Sequence, residues 1–203
     1  MDLIEHSVMS GSVEWLRDIL HHPHEYKWSV QGFGMLRTYL DADHVWRLNI
    51  WTDRLKVPRV STIHDHPWSF TSWIMAGALL NTRYTHYSVP TPGATEYLES
   101  VITPGEGGGI QEPHVEPPRI WLFPYSRELY APGCSYSQTA DAIHETMYAN
   151  GTITINKRRR GSLDAARVYH QGPWVSAEPH AASVEEITIG IIAASKELRR
   201  NGR

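Results

Sequence analysis

The densest chemistry in the chain lies in STIHDHPWSFTSWIMAGAL, residues 61–79. In an extended segment alternate side chains share a face, so His64 and His66 point one way and Asp65 the other. Two imidazoles on one strand are half of a metal site. A third ligand must come from a neighbouring strand, and ADAIHETMYANGTITI offers His144. Three histidines leave coordination positions open for substrate or oxygen, as a catalytic site requires and a closed structural site does not. The plainer alternative is a pair of histidines packing a barrel mouth with no metal. Further candidates flank these residues. Tyr84 and His86 stand two apart in NTRYTHY, and Glu145 follows His144; any of them can serve as acid or base. His86 also reads as a rim histidine, and His114 in EPHVEPP as a solvated loop residue. Lys157 to Arg160 read either as a solvated basic face or as a clamp for a phosphate or carboxylate.

The elements that must hold these residues are mostly strands. Short runs rich in β-branched and aromatic residues, separated by Gly, Pro, Asp and Asn, predict strands over 35–40, 44–52, 61–64, 69–79, 82–87, 119–123, 135–138, 144–148 and 152–156. Such a pattern means a sandwich or a barrel. A helix is expected first, with Ser12 as N-cap and Val13, Leu16, Ile19 and Leu20 buried. His21, His22 and His24 then supply favourable charge near its C-terminus. The Pro- and Gly-rich stretch 89–118, with one strand near Tyr97 to Ile102, reads as a lid or rim. Ser183 and Glu186 form a capping box for a terminal helix bearing Val184, Ile187, Ile191 and Leu198. That helix packs on the barrel's outside or makes a homodimer contact. The division expected is an N-terminal helical segment (1–27), a barrel (28–160) and an extension ending in a helix (161–203).

Composition bounds the rest. With 203 residues, 41% hydrophobic and 20% charged, the chain fits one ordinary globular domain. A net charge of −3 argues against nucleic acid as a partner. No run approaches the roughly 20 apolar residues of a membrane span, and the first residues lack the features of a secretion signal. The single cysteine, Cys134, cannot form an internal disulfide, which fits the cytoplasm; it reads as a small buried residue. The 12 histidines raise the prior for a metal site. Of the eight tryptophans, Trp46, Trp51, Trp68, Trp73 and Trp121 are expected mostly in the core, with Trp68 also placed to wall a metal pocket.

HDHPWSFTSWIMAG resembles the first cupin motif, a His-x-His followed at an interval by a glycine, here Gly77. APGCSYSQTADAIH resembles the second, a turn at Pro132-Gly133 leading to a strand with the third histidine, His144. The resemblance spans roughly residues 35–157. It implies an all-β fold with flanking helices, the cupin (double-stranded β-helix, jelly-roll) barrel. Many cupins add a glutamate ligand four or five residues after the second histidine; Phe70 and Thr71 stand there. The site is therefore similar to the three-histidine variant of the thiol dioxygenases such as cysteine dioxygenase. Upstream, LRTYLDADHVWRLNIWTDRLKVPRVSTIHDH resembles their arginine strand, which puts Arg37 near the place of the arginine that binds the substrate carboxylate. Thr154 and Asn156 stand near the places of that family's late His and Tyr. Small bacterial and phage cupins with an HDHPW-type motif are also similar. The resemblance implies a divalent metal, foremost Fe(II) with Zn, Mn or Ni as alternatives, and a small anionic substrate oriented by Arg37 or Arg83. The competing classes are a metal-assisted isomerase, lyase or hydrolase and a non-catalytic ligand-binding module.

Overall fold

A computed structural model describes residues 3–32, 34–55, 62–102, 117–159, 165–172 and 179–201. Helices α1 (Leu3–Met9) and α2 (Glu14–His21) open the chain, followed by a 3-10 turn at Pro23–Glu25. The strands are β1 (Trp28–Gln31), β2 (Met35–Tyr39), β3 (Trp46–Trp51), β4 (Ile63–His64), β5 (Ser69–Ala76), β6 (Leu79–Tyr87) and β7 (Thr95–Ile102). They continue with β8 (Arg119–Tyr130), β9 (Ser135–Gln138), β10 (His144–Tyr148), β11 (Thr152–Arg159), β12 (Ala166–His170) and β13 (His180–Ala181), and helix α3 (Val184–Asn201) ends the described chain.

The strands form two antiparallel sheets. One has seven strands in the order β13-β1-β2-β3-β11-β5-β9; the other closes on itself as a six-stranded barrel, β10-β4-β12-β7-β8-β6. The seven-stranded sheet has two unlike faces because its central strands alternate. On β3 and β11, Leu48, Ile50, Ile153 and Ile155 join Leu16, Ile19 and Leu20 of α2 and Ala194 and Leu198 of α3 in the main apolar core. The alternate residues Arg47, Asn49, Thr154, Asn156 and Arg158 face the other way, as period-2 geometry requires. Helix α3 thus packs on the outside of this sheet. Its capping box is formed: the Ser183 N–H donates to Glu186 Oε2 at 2.8 Å, and the Glu186 N–H donates to Ser183 Oγ at 3.2 Å.

Several expectations are corrected. Val13, not Ser12, occupies the N-cap of α2 and makes no side-chain cap bond; the Ser12 carbonyl instead accepts the Trp15 indole N–H at 2.7 Å. The strand expected over 69–79 breaks at Gly77, whose φ of +78° turns the chain into β6. The strand expected over 119–123 runs on to Tyr130. Helix α1 and strands β1, β12 and β13 had no counterpart in the sequence reading. Because β12 pairs with β4 and β7 inside the barrel, and β13 with β1, the residues beyond 160 are woven into both sheets. Cys134 is exposed at the turn before β9, not buried. The strand near Tyr97 is present as β7, whereas Gly107 to Gly109 and His114 of the expected lid lie outside the described residues. No described helix is long and apolar enough to cross a membrane.

Candidate metal centre

Strand register brings the three histidines together. His144 on β10 pairs directly with His64 on β4, and His64 pairs on its other side with Val168 of β12. His66 follows β4 after one residue, on the same side as His64. Ring centroids lie 4.5 Å apart for His64–His144, 4.7 Å for His64–His66 and 5.1 Å for His66–His144. One nitrogen from each ring lies within 4.8 Å of the other two. Metal–nitrogen bonds of about 2.0–2.1 Å set tetrahedral ligand atoms roughly 3.4 Å apart, so holding one ion asks the rings to draw together by up to about 1.4 Å.

Two of the rings are oriented by the backbone. His64 Nδ1 lies 3.0 Å from the Thr62 carbonyl and His144 Nδ1 3.2 Å from the Ala142 carbonyl. A proton on Nδ1 donated to these carbonyls leaves the Nε2 lone pair as the ligand, the outer-shell arrangement of metal-bound histidines. Burial lowers the pKa of His64, and burial with the neighbouring imidazoles holds His66 and His144 well below the usual histidine value. The cluster is therefore neutral at neutral pH, the state in which nitrogen binds a metal. These residues can hold a divalent metal, and the donor set fits one.

The surroundings fix that arrangement. Asp65 is fully buried on the opposite side from the histidines, where it accepts from the Arg167 backbone N–H at 2.6 Å and from Arg167 Nε at 2.5 Å. This clamp ties the link between the two ligands to β12. The Phe70 ring lies edge-on to His66 at 5.3 Å and 6.2 Å from His144, so an apolar ring flanks the cluster on this side. Trp68 stacks on His66 at 5.3 Å and 21° and walls the site as expected.

Beyond Trp68 is the polar face of the seven-stranded sheet. Arg158 lies 4.0 Å over the Trp68 ring, and its Nη1 donates to the Tyr39 hydroxyl at 3.2 Å. Arg47 is 7% exposed. With its amide turned to satisfy both ends, Asn156 accepts from Arg47 Nη2 at 3.3 Å and donates to Ser72 Oγ at 2.9 Å. Burial, with Arg37 and Arg158 adding like charge, pushes the Arg47 guanidinium down to about 9. Thr154 accepts from Asn49 Nδ2 at 3.0 Å and from the Trp51 indole at 3.1 Å.

The other candidates divide. Arg83 pairs with His144 in register and its Nη2 donates to the Ser137 carbonyl at 3.1 Å. Arg37 lies on β2, half-buried, with Nε donating to Ser29 Oγ at 3.2 Å and its charge 5.5 Å from the Tyr39 ring centre. Tyr84 donates to Glu145 Oε2 at 3.0 Å, and the Thr62 hydroxyl donates to Glu145 Oε1. Burial and Glu145 together raise the Tyr84 pKa. Glu145 alternates with His144 along β10 and pairs with Ile63, so this Tyr–Glu pair belongs to the far side of the strand, where Tyr84 packs against the apolar cluster of Ile63, Ile120, Leu122, Ile143 and Tyr169. His86 is at the exposed end of β6 and is not brought to the cluster. In the basic run, Lys157 pairs with Glu5 at 2.8 Å and Arg159 is exposed, while Arg158 faces the site; Arg160 lies outside the described residues. The sequence reading missed Arg47 altogether. Its signal was the alternation WRLNIW beside TITINKRR, polar on one face and apolar on the other.

Compared with protein-family models and with curated proteins, the sequence finds no match.

Proposed function

We propose that the chain is a cupin of jelly-roll type in which His64, His66 and His144 hold one divalent metal, and that it works as a non-haem Fe(II) oxygenase, similar to the thiol dioxygenases, on a small anionic molecule. The observation that carries this reading is an all-imidazole donor set flanked by the apolar ring of Phe70. Neutral imidazoles suit Fe(II), which when bound supplies redox chemistry toward dioxygen. The chain's own residues do the rest. The Thr62 and Ala142 carbonyls orient two of the rings. Phe70 and Trp68 exclude water from one side of the site. The arginines of the facing sheet supply positive potential for an acidic substrate. The single cysteine suits a cytoplasmic location.

The second reading, a Zn-, Mn- or Ni-dependent isomerase, lyase or hydrolase, needs an acid or base at the metal. The Tyr84–Glu145 pair is its best candidate, and the alternation of Glu145 with His144 along β10 counts against it. Anaerobic purification, metal analysis and oxygen-uptake assays with small thiols and small acids separate the two. Iron with substrate-dependent uptake is the expected result. Zinc or manganese without uptake would overturn the oxygenase in favour of the second reading, and no stoichiometric metal would leave a ligand-binding module.

A further inference from the structure

Among the described residues, Arg47 Nε, Arg158 Nε and Trp68 Nε1 are buried N–H donors without an acceptor. A buried donor without a partner costs about 1–3 kcal/mol, and more when charged, so three of them near one another need a reason. Their positions are coupled through the sheets. Arg47 on β3 pairs with Asn156 on β11, and Arg158 is two residues along β11 on the same face. Arg158 lies on the Trp68 ring, and Trp68 lies on His66. The Arg47 and Arg158 charges are felt at His66, and that of Arg47 also at His64. Arg37 adds a third positive charge nearby. Among the described residues no carboxylate forms an ion pair with Arg37, Arg47 or Arg158. A cluster of like charges, one of them nine-tenths buried, without a counter-ion is a poor way to stabilise a sheet. It is a good way to receive an anion, because Arg47 Nε, Arg158 Nε and Trp68 Nε1 are all donors, even though Asn49 Oδ1 on the same face is an unpartnered acceptor.

We infer that Arg47 and Arg158, together with the Trp68 indole N–H, form an oxyanion subsite beside the metal centre that takes the carboxylate or phosphate of a small-molecule substrate. A guanidinium fork matches either group in bidentate fashion. Arg37, whose Nε is engaged by Ser29, contributes field more than contact. As a substrate subsite it rests on the metal-centre reading; as an anion site it stands on its own residues.

The test is titration of the full chain with inorganic phosphate and, separately, with succinate, at low salt, followed by calorimetry and tryptophan fluorescence. One saturable site per chain is expected, and preference between the probes tells a phosphorylated substrate from a carboxylate one. Arg47→Met and Arg158→Met should each weaken binding at least about tenfold, the loss of one charge-assisted hydrogen bond. Trp68→Phe, which keeps a ring and removes only the N–H, should weaken it about three- to tenfold. That variant serves if an arginine variant fails to fold. His64→Ala should retain the anion. Absence of saturable binding for both probes, or binding unchanged in Arg158→Met and Trp68→Phe, would overturn the subsite. A wild-type chain that takes the anion but no metal would instead overturn the proposed function while supporting the subsite.

Discussion

Replacing Arg47 with methionine should make the ligand-free protein more stable. The guanidinium is 7% exposed, its Nε has no acceptor among the described residues, and burial with Arg37 and Arg158 pushes its pKa down to about 9. A depression of that size corresponds to roughly 5 kcal/mol of unfavourable environment for the charge. This is an upper figure, because relaxation and water penetration raise the effective dielectric. Methionine has similar reach and no charge, but it takes a donor from Asn156, at a cost of about 1 kcal/mol. The net gain expected is about 1–3 kcal/mol, in the range found when buried charges give way to apolar side chains. For a domain of this size each kcal/mol moves Tm by about 2–4 °C, so calorimetry should show a rise of about 2–12 °C. The rise in Tm that phosphate or succinate gives the wild type should shrink in the same variant. A fall in Tm of more than about 3 °C, equivalent to roughly 1 kcal/mol, would refute the reasoning, since it would mean Arg47 holds the sheet together rather than standing ready for a ligand.

Gly77→Ala should destabilise the fold by about 2–4 kcal/mol, adding the strain of positive φ to the clash of a new methyl group. The added Cβ would lie 2.8 Å from Thr152 Cα; thermal denaturation reads the loss, and an unchanged Tm would contradict it. Asp65→Ala should cost about 2–4 kcal/mol, less than for a fully enclosed pair because Arg167 keeps some solvent. Metal affinity should fall with it, because the clamp between the two ligands is lost; chemical denaturation with metal titration checks both. Stability should also depend on acid. Burial keeps the pKa values of His64, His66 and His144 low, so below about pH 6.5 the unfolded chain binds protons that the folded one does not. Stability of the metal-free protein is therefore complete above that pH and falls below it, by up to about 1.4 kcal/mol per histidine per pH unit. A smaller slope in His144→Gln, measured by denaturation between pH 7 and 5, is the expected sign; an equal slope would contradict it.

The three-histidine cluster was legible because it uses the simplest rule of β-structure. Period-2 alternation put His64 and His66 on one side and Asp65 on the other, and the strand with His144 needed only to pair with β4. What stayed hidden depended on long-range pairing. Strands β12 and β13 hold five and two residues, and their neighbours β4, β7 and β1 are far away in the chain. No local pattern announces such a strand; tertiary pairing creates it. Arg47 was missed for a related reason. WRLNIW reads as an apolar strand until the helices are known to cover its Leu48–Ile50 face, and only then must Arg47 and Asn49 turn toward the histidines. The same logic separates Arg158 from its neighbours in a run that looked like uniform surface charge. Cys134 was expected inside because of its type, and the turn at Gly133 leaves it outside. Tyr84 and Glu145 were candidates for acid or base at the metal, and the alternation that aims His144 toward the cluster aims Glu145 away.

Metal stoichiometry is the most direct measurement of the central claim. The wild-type chain, purified anaerobically and loaded with Fe(II), should hold about one equivalent of metal per chain, as a single set of three imidazole ligands requires. His64→Ala and His144→Ala should hold almost none while their circular dichroism stays that of the folded barrel. Full metal occupancy in both folded variants would contradict the account.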